Sequence, residues 1–301
     1  MSLLLAMMLD AVFGEPDALW RRAPHPAVLL GRLVAWLDRR MNRGDARRAK
    51  GVVALALLLS VAGAIGWLIA AAPFGWFLEI VAAAILLAQK SLVDHVRAVA
   101  AGLDEGLASG KRAVAMIVGR DVEPLDEAGV ARAAIESAAE NFSDGVVAPA
   151  FWFLLLGLPG MLVYKAANTA DSMIGYRTER HREFGWAAAR FDDLANYAPA
   201  RLSAALLSLS AGGLAGWRAA RRDASLHRSP NAGWPEAAMA EALGVSLAGP
   251  RVYDGVETKD PFVNPNGAKK IGAADIERAA AMLWRGWAAL LAAAGAAAVL
   301  F

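Results

Sequence analysis

The chain has 301 residues, of which 57% are hydrophobic and 20% are charged. This composition is too apolar for a typical soluble domain and too charged for a helical bundle that lies wholly in lipid. The 31 basic and 29 acidic side chains leave a net charge of only +2, and no basic arm is interleaved with aromatic residues, so we expect no nucleic-acid partner. The sequence has no cysteine, which excludes disulfides and thiolate chemistry.

The N-terminal segment is apolar from residue 3 to residue 13 but is interrupted by Asp10. It lacks the basic start and the cleavage site of a signal peptide, so we expect it to be retained. His25 follows between Pro24 and Pro26 and is the titratable group of that turn. We interpret His25 either as a substrate-binding side chain or as a residue whose hydrogen bonds stabilise the turn.

Long charge-free runs predict membrane helices. Residues 52–72 are long enough to cross the roughly 30 Å hydrocarbon core of a bilayer, and residues 73–89 predict the return helix of a hairpin. Residues 202–217 and 286–301 are shorter and span only if flanking arginines snorkel to the surface. The chain is therefore predicted to be an all-α polytopic integral membrane protein with roughly four to five membrane helices, folded as one domain over residues 1–301.

The basic residues predict the orientation of these helices. The basic segment 39–50 precedes the first span and should be cytoplasmic, as should the chain from residue 90 onward. Residues 145–164 are charge-free, but a crossing there would place the basic residues of segment 165–190 outside the cell. Because Pro149 and several glycines and prolines interrupt this run, we predict a re-entrant segment, with the catalytic loops facing the cytoplasm at the inner membrane.

The first of three polar clusters lies just before that segment. On a helix, Arg132, Glu136, Glu140 and Asp144 would follow one another on a single face at i, i+4 spacing. Three carboxylates so placed repel one another unless a cation lies against them. The stripe therefore predicts a site for Mg²⁺ or for a cationic ligand.

Two further clusters repeat the same residue types. The second would share one helix face and comprises Lys165, Asn168, Asp171, Ser172 and Gly175. The third comprises Asp192, Asp193 and Asn196, with Arg201 beyond Pro199. Carboxylate and amide oxygens without thiols suit Mg²⁺ far better than zinc. The alternative interpretation is that these residues are helix caps and ion pairs on a solvated face.

A turn from Asn231 to Glu236 precedes the next predicted helix, with Pro235 near the first helical position. The N-terminus of that helix is a candidate for phosphate binding, although an ordinary cap is the alternative. Neither a phosphate-binding loop of the P-loop type nor a dinucleotide-binding glycine motif is present in the sequence. A nucleotide would therefore be bound by an unusual site.

Several ordered motifs resemble the adenosylcobinamide-phosphate synthase family of cobalamin biosynthesis. The motifs are AIESAAENFSDGVVAPAFW, YKAANTADSMIGY, FGWAAARFDDLANYAPARL and SPNAGWPEAAMAEALGV, preceded by DAVFGEPDALW, PHPAVLLGRLV and SLVDHVRAV. The likeness covers nearly the whole chain, and Glu241 and Ala248 depart from the family pattern. The resemblance implies a polytopic membrane enzyme that uses ATP to join adenosylcobyric acid to aminopropanol phosphate, or to free aminopropanol, through an amide bond.

For such a reaction we expect ATP and Mg²⁺ as cofactors. We expect the Mg²⁺ ligands to be Glu140, Asp144, Asp171, Asp192 and Asp193. Lys165 and Arg190 would neutralise the transferred phosphoryl group, with Asn141, Asn168, Ser172 and Asn196 as further cofactor-binding residues. Arg201, or the turn with Asn231 and Glu236, would bind the phosphate of the amine, and Glu136 or His25 would be the base.

The expected partners are a corrinoid, aminopropanol phosphate and membrane lipid, and association with other cobalamin-biosynthesis enzymes is left open. Two other functions remain as alternatives. Asn/Asp pairs on membrane helices could bind Mg²⁺-diphosphate in an intramembrane prenyltransferase. Acids beside broken helices could instead form the pathway of an ion or cobalt transporter.

Overall fold

The structure is a computed structural model that describes residues 1–16, 20–250, 252–253, 256–257 and 260–300. Its α-helices are, in chain order, α1 Ser2–Phe13, α2 Pro26–Met41, α3 Arg47–Ala71, α4 Gly75–Leu86, α5 Gln89–Glu105, α6 Leu107–Val114, α7 Glu127–Phe142, α8 Ala148–Ile174, α9 Trp186–Ala195, α10 Tyr197–Ser210, α11 Ala215–Asp223, α12 Gly233–Leu243 and α13 Ala273–Leu300. A π-helical turn, Ser143–Val147, joins α7 to α8, and a 3₁₀ turn, Ala224–Leu226, follows α11.

Strand structure in the described residues is limited to two antiparallel pairs. Strand β1, Leu247–Ala248, pairs with β4, Phe262–Val263, so that Leu247 lies opposite Val263. Strand β2, Val252–Tyr253, pairs with β3, Val256–Glu257. The prediction of an all-α protein is confirmed.

The chain divides into two compact units. The first unit comprises Met1–Ala88, Ala148–Asn196 and Ala297–Phe301, and the second comprises Gln89–Val147 and Tyr197–Ala296. Compact units of one chain need not fold independently. The expectation of one domain over residues 1–301 therefore stays a prediction.

In the first unit, α3 packs closely against α8. Leu58 and Ala62 are buried, whereas Trp67 and Leu68 on the same helix are exposed, as expected for side chains that face lipid. Gly66 permits the close approach, because a Cβ atom at that position would lie 2.6 Å from the Cα atom of Pro159. The core of this unit therefore depends on a small-residue contact between two long apolar helices.

In the second unit, α7 is buried along most of its length by alanine and larger apolar side chains. Phe142 at its end is fully buried. A Cβ atom at Gly286 of α13 would lie 2.8 Å from the Phe142 ring, so the glycine makes room for that ring. The buried residues of α7 include two polar ones, Glu136 and Ser137.

Four described stretches are long and apolar enough to cross a membrane: Arg47–Ala71, Gly75–Glu105, Glu127–Ile174 and Ala273–Ala298. They confirm the prediction of a polytopic membrane protein and overlap the predicted spans at residues 52–72 and 286–301. The predicted span at residues 202–217 is wrong, because α10 ends at Ser210. The chain turns at Gly212, whose φ of 91° is readily adopted only by glycine.

The predicted interruption of residues 145–164 is present. Gly157 has non-helical torsion angles, φ 66° and ψ −161°, and Pro159 follows it inside α8. The π-helical turn at Ser143–Val147 adds a second irregularity just before α8. The segment is therefore bent, and its re-entry on one side of the membrane stays a prediction.

Candidate functional site

Two hydrogen bonds, one of them buried, join helix α8 to the C-terminal end of helix α9 in the first unit. The hydroxyl of Tyr164 donates to Oδ1 of Asn196 at 2.9 Å, and Nε1 of Trp152 donates to the carbonyl of Ala195 at 3.1 Å. Trp152 and Phe191 also pack against a small core that includes Tyr164. Because these contacts fix the separation of the two helices, they place the second and third predicted polar clusters side by side.

Asp192 lies at the centre of this arrangement and is only 8% exposed. Its Oδ1 accepts a hydrogen bond of 3.3 Å from Asn168 on α8, and its Oδ2 accepts one of 3.0 Å from Asn196. Two of the predicted cofactor-binding asparagines therefore orient the carboxylate of Asp192. We call Asn168, Asp171, Asp192, Asp193 and Asn196 the aspartate cluster.

The charge of Asp192 is strongly perturbed. Burial, together with the negative charge of Asp171, raises the pKa of Asp192 to about 7, against the lowering effect of the hydrogen bonds from Asn168 and Asn196. Burial also raises the pKa of Asp193, against the lowering effect of Arg190 and Arg177. Two acids that repel each other in a buried site are stabilised by a proton or by a bound cation.

The end of α8 is shaped around Asp171. A Cβ atom at Gly175 would lie 1.9 Å from Oδ1 of Asp171, so this position accepts no larger residue without moving the carboxylate. Lys165 is half-buried one turn before Asn168, whereas Ser172 is exposed directly after Asp171. The predicted face of α8 therefore meets α9 through Asn168 and Asp171.

Arg190 provides positive charge at the border of the aspartate cluster. Its guanidinium lies 3.6 Å from Oδ2 of Asp193, and its side chain is largely exposed. An exposed arginine can exchange a surface ion pair of this kind at little free-energy cost. Arg190 is therefore placed where it could contact an anionic ligand of the cluster.

The donor set of the aspartate cluster fits Mg²⁺ that arrives with a phosphate ligand. Within the described ranges, no three histidine or acidic side chains converge as a ready-made metal site. Mg²⁺ commonly uses only one or two protein carboxylates together with phosphate oxygens and water. Asp171 and Asp192 provide two such carboxylates, and a cation would relieve the repulsion between them.

The first predicted cluster lies in the second unit. Glu136 is buried, and its Oε2 accepts from Arg120 at 3.0 Å while its Oε1 accepts from the backbone N–H of Ala248 at 2.7 Å. Glu140 is exposed on α7, whereas Asp144 lies in the π-helical turn. The predicted alignment of Asp144 with Glu136 and Glu140 on one helix face stays a prediction.

Asn141 is exposed next to Glu140 and bonds within its own helix. Its Nδ2 donates to the carbonyl of Ser137 at 2.9 Å and lies 3.1 Å from the Ser137 hydroxyl. Ser137 in turn donates to the carbonyl of Ile117 at 2.7 Å. In this structure Asn141 stabilises the end of α7, and its cofactor-binding role stays a prediction.

Two of the residues predicted for phosphate binding, Arg201 and Asn231, are in contact in the second unit. Arg201 donates to Oδ1 of Asn231 at 3.1 Å, and its guanidinium lies 3.5 Å from the ring centre of Tyr197 and 4.6 Å from that of Trp234. Glu236 is buried, with Oε1 3.5 Å from Nε2 of His227. The sequence analysis did not single out His227, although the residue lies two positions before the Ser229–Pro230 turn.

His25 has the contacts expected of a structural residue. Its Nδ1 accepts from the N–H of Ala27 at 3.2 Å and caps α2, and its Nε2 lies 3.3 Å from the carbonyl of Ile85. Its ring also packs edge-on against Trp20, with 4.5 Å between ring centres. These contacts support the stabilising interpretation, and a role of His25 as a base stays a prediction.

A polar contact that the sequence analysis missed fixes the loop between α8 and α9. Asp38 accepts from Arg180 at 2.5 Å and from Asn42 at 2.8 Å, and His181 lies 3.5 Å away. Burial would raise the pKa of Asp38, but the hydrogen bonds from Arg180 and Asn42 outweigh it and hold the pKa below its usual range. No local motif marks this pair, because 142 residues separate Asp38 from Arg180.

An apolar cavity of about 360 Å³ adjoins the aspartate cluster in the first unit. Trp152, Leu156, Tyr164 and Phe191 are among its lining residues. The hydroxyl of Tyr164 reaches from this cavity to Asn196. The first unit therefore offers an apolar wall directly beside a group of acids and amides.

Comparison with known proteins identifies the family. A family model described as CobD/Cbib protein matches residues 3–283. The chain is 52% identical to "Cobalamin biosynthesis protein CobD" of Rhizobium meliloti (strain 1021), over 94% of this chain and 91% of that protein. It is 47% identical to the protein of the same name from Rhodobacter capsulatus, over 99% of this chain and 97% of that protein. No solved structure matches the chain. The chain therefore belongs to the CobD/Cbib family, the adenosylcobinamide-phosphate synthase family of cobalamin biosynthesis.

Proposed function

We propose that this protein forms an amide bond between a carboxylate of adenosylcobyric acid and the amine of (R)-1-amino-2-propanol O-phosphate, with ATP as the energy source. Free aminopropanol and ethanolamine phosphate are alternative amines, since one methyl group changes binding in a pocket by only about 1 to 3 kcal/mol. The observation that carries the proposal is the buried Asp192, oriented by two amides beside Asp171. Family membership supports the cobalamin pathway and does not favour a prenyltransferase or a transporter.

In the first step a carboxylate oxygen of the corrinoid attacks the γ-phosphorus of ATP, an acyl phosphate forms, and ADP leaves. When bound, Mg²⁺ would screen the negative charge of the nucleotide phosphates. Asp171 and Asp192 offer the carboxylate oxygens for that ion, while Asn168 and Asn196 hold Asp192 in one orientation. Arg190 and Lys165 would stabilise charge on the transferred phosphoryl group.

The raised pKa of Asp192 makes the protonation state of this carboxyl group sensitive to a bound metal ion. With a pKa of about 7, Asp192 is partly protonated at neutral pH before a cation arrives. A divalent cation stabilises the ionised form, so its binding displaces the proton. We propose that this exchange couples occupation of the aspartate cluster to the presence of Mg²⁺-nucleotide.

In the second step the free amine attacks the acyl carbon, the amide bond forms, and inorganic phosphate leaves. The ammonium must first lose a proton to a base. Glu136 stays the predicted acceptor, and this role requires it to exchange its bond from Arg120 or from the Ala248 N–H. The proton taken from the amine would leave through that carboxyl group.

The surroundings of the aspartate cluster favour the binding of a large amphipathic substrate. The cavity beside Tyr164 is lined mostly by apolar side chains, and the cluster next to it is polar. A corrinoid presents both an apolar macrocycle and polar amide substituents. We propose that its reacting carboxylate lies at the cluster while its apolar edge contacts Trp152 and Phe191, at the cytoplasmic side of the inner membrane.

The direct test uses the full-length protein in detergent with Mg-ATP, adenosylcobyric acid and aminopropanol phosphate. We expect mass spectrometry to detect the amide product only when all three are present, together with release of phosphate. The variant Asp192→Asn should lose this activity, while the control Asp45→Asn, an exposed acid of the same unit, should keep it. Turnover of a prenyl diphosphate without ATP, or gradient-driven flux without a covalent product, would contradict the proposal.

A further inference from the structure

A polar cavity of about 320 Å³ opens in the second unit beside the start of α7. Its lining includes Arg120 and Asp121 from the segment before the helix, and Asp126, Arg132 and Glu136 from the helix and its cap. The volume is at the small end of the roughly 300 to 1,000 Å³ range for small-molecule sites. The cavity is too small to enclose a corrinoid, so it suits a small polar ligand.

Arg120 is positioned at this cavity by an ion pair with Glu136. Its Nη2 donates to the buried carboxylate of Glu136 at 3.0 Å, and that carboxylate also accepts from the N–H of Ala248. The Nε of Arg120 is buried and has no hydrogen-bond partner among the described residues. A buried donor without a partner costs about 1 to 3 kcal/mol, so a small shift of the Arg120 side chain that let a bound oxyanion reach this nitrogen would be favourable.

Arg132 adds a second guanidinium to the lining. Its Nη1 lies 3.4 Å from the carbonyl of Ser246, and its guanidinium carbon lies 5.5 Å from the ring centre of Phe262. A guanidinium carries five N–H donors, so Arg132 can bind an oxyanion while it keeps the contact with Ser246. Two arginines at one cavity are typical of sites for phosphate or carboxylate groups.

Two exposed carboxylates line the same cavity. Oδ1 of Asp121 accepts from the N–H of Glu123 at 3.0 Å, and Oδ1 of Asp126 accepts from the N–H of Gly129 at 2.7 Å as the cap of α7. Each carboxylate has a second oxygen and further lone pairs that can accept from a ligand. Both acids would repel a simple anion and attract an ammonium group.

From this arrangement we propose that the cavity binds a small amphoteric molecule whose oxyanion contacts Arg120 and Arg132 and whose ammonium contacts Asp121 or Asp126. The acids would repel a simple anion, and the arginines would repel a simple cation. A ligand that carries both charges can pair its oxyanion with the arginines and its ammonium group with the acids. The identification of this ligand with the phosphorylated amine of the reaction rests on the proposed function. Arg120, Arg132, Asp121 and Asp126 would then be the residues that bind the amine substrate.

Binding can be measured without ATP or corrinoid. Full-length protein in lipid nanodiscs is titrated by calorimetry with O-phosphoethanolamine, inorganic phosphate and ethanolamine. We expect O-phosphoethanolamine to bind at least about tenfold more tightly than either of the other two, because each lacks one charged contact. Equal affinity for inorganic phosphate would overturn the inference.

Substitutions test separately which residue binds the oxyanion of the ligand and which binds its ammonium group. Arg132→Gln should raise the Kd of O-phosphoethanolamine about tenfold or more, and Arg132→Lys should have a smaller effect. Asp126→Asn keeps an oxygen that caps α7 but removes the charge, so it should weaken O-phosphoethanolamine binding and leave phosphate binding unchanged or tighter. The control Arg97→Gln, which removes only the 3.3 Å ion pair with Glu277, should leave every Kd unchanged. Unchanged affinity in both Arg132→Gln and Asp126→Asn would contradict the proposal.

Two results would distinguish failure of the cavity site from failure of the proposed reaction. Selective O-phosphoethanolamine binding that Arg132→Gln weakens, in a protein that forms no amide, would support the cavity site and contradict the ligase. Amide formation by Arg132→Gln with an unchanged KM for the amine would support the ligase and contradict the cavity site. If Arg132→Gln does not fold, Asp126→Asn decides, because its helix cap is retained.

Discussion

The hydroxyl of Tyr164 donates a hydrogen bond of 2.9 Å to the amide oxygen of Asn196. This bond fixes which way the Asn196 amide points, so that its NH₂ group donates to Oδ2 of Asp192 at 3.0 Å. A buried aromatic residue on α8 thereby orients a carboxylate on α9. The geometry of the aspartate cluster depends on this chain of three side chains.

Replacement of Tyr164 by phenylalanine tests that dependence. The variant leaves the oxygen of Asn196 without its donor, and we expect a stability loss of about 1 to 3 kcal/mol. We also expect kcat to fall about tenfold, since 1.4 kcal/mol in the barrier is a factor of ten. Steady-state kinetics and thermal unfolding in detergent measure the two effects. Wild-type kcat in a folded Tyr164→Phe protein would show that the orientation of Asn196 is unimportant for turnover.

The raised pKa of Asp192 predicts a pH dependence that Mg²⁺ shifts. Activity should fall as the pH drops through the apparent pKa, because the protonated acid cannot bind the cation. Higher Mg²⁺ concentrations should move the midpoint of this fall to lower pH, since metal and proton compete for the same carboxylate. Rate profiles from pH 5 to pH 9 at two Mg²⁺ concentrations provide the measurement. A midpoint that does not respond to Mg²⁺ would argue against metal binding at Asp192.

The raised pKa of Asp192 also predicts how the stability of the folded protein varies with pH. The usual pKa of this carboxyl group is 3.8, and the folded protein raises it to about 7. The folded state therefore binds more protons than the unfolded state between these values, so its stability should decrease as the pH rises from about 4 to about 7. Asp192→Asn should remove this part of the pH dependence. Thermal unfolding of both proteins across that range is the check, and parallel curves would contradict the assignment.

Gly175 gives an independent test of Asp171. In Gly175→Ala the new Cβ atom would lie 1.9 Å from Oδ1 of Asp171, so the carboxylate must move. We expect a higher Mg²⁺ concentration for half-maximal activity and a lower kcat. The control Gly119→Ala introduces a methyl group where nothing lies within 4 Å. The interpretation of Asp171 as a metal ligand would fail if both variants responded to Mg²⁺ like the wild type.

A matched pair of glycines tests the packing of α3 against α8. A Cβ atom at Gly66 would lie 2.6 Å from the backbone of Pro159, whereas one at Gly63 would lie 3.3 Å from a methyl group of Val163. Backbone yields less readily than a side chain, so Gly66→Ala should destabilise the protein by about 1 to 3 kcal/mol and Gly63→Ala by less. Unfolding temperatures in one detergent compare the two. Equal temperatures would mean that the close approach at Pro159 contributes little.

The sequence predicted the features that local spacing determines. The apolar spans at residues 52–72 and 286–301 follow from length and composition, and the bend of α8 follows from Gly157 and Pro159. The positions of Asn168 and Asp171 on one helix face follow from helical periodicity. These predictions needed no knowledge of distant contacts.

Other features depend on contacts between distant parts of the chain, which periodicity does not report. The pairing of Asp38 with Arg180 spans 142 residues, and Glu136 meets Ala248 across 112 residues. Helical periodicity does not report the π-helical turn at Ser143–Val147 either. The predicted span at residues 202–217 failed because a glycine turn interrupts an otherwise apolar run.

The most direct test of the account is the requirement for three substrates in amide formation by the purified protein. Mg-ATP, adenosylcobyric acid and aminopropanol phosphate are supplied together and then omitted one at a time, and the condensed corrinoid is measured by mass spectrometry. We predict product and phosphate release only in the complete mixture, and neither with Asp192→Asn. Product formed without ATP, or formed normally by Asp192→Asn, would contradict the central claim that the aspartate cluster activates a carboxylate with ATP.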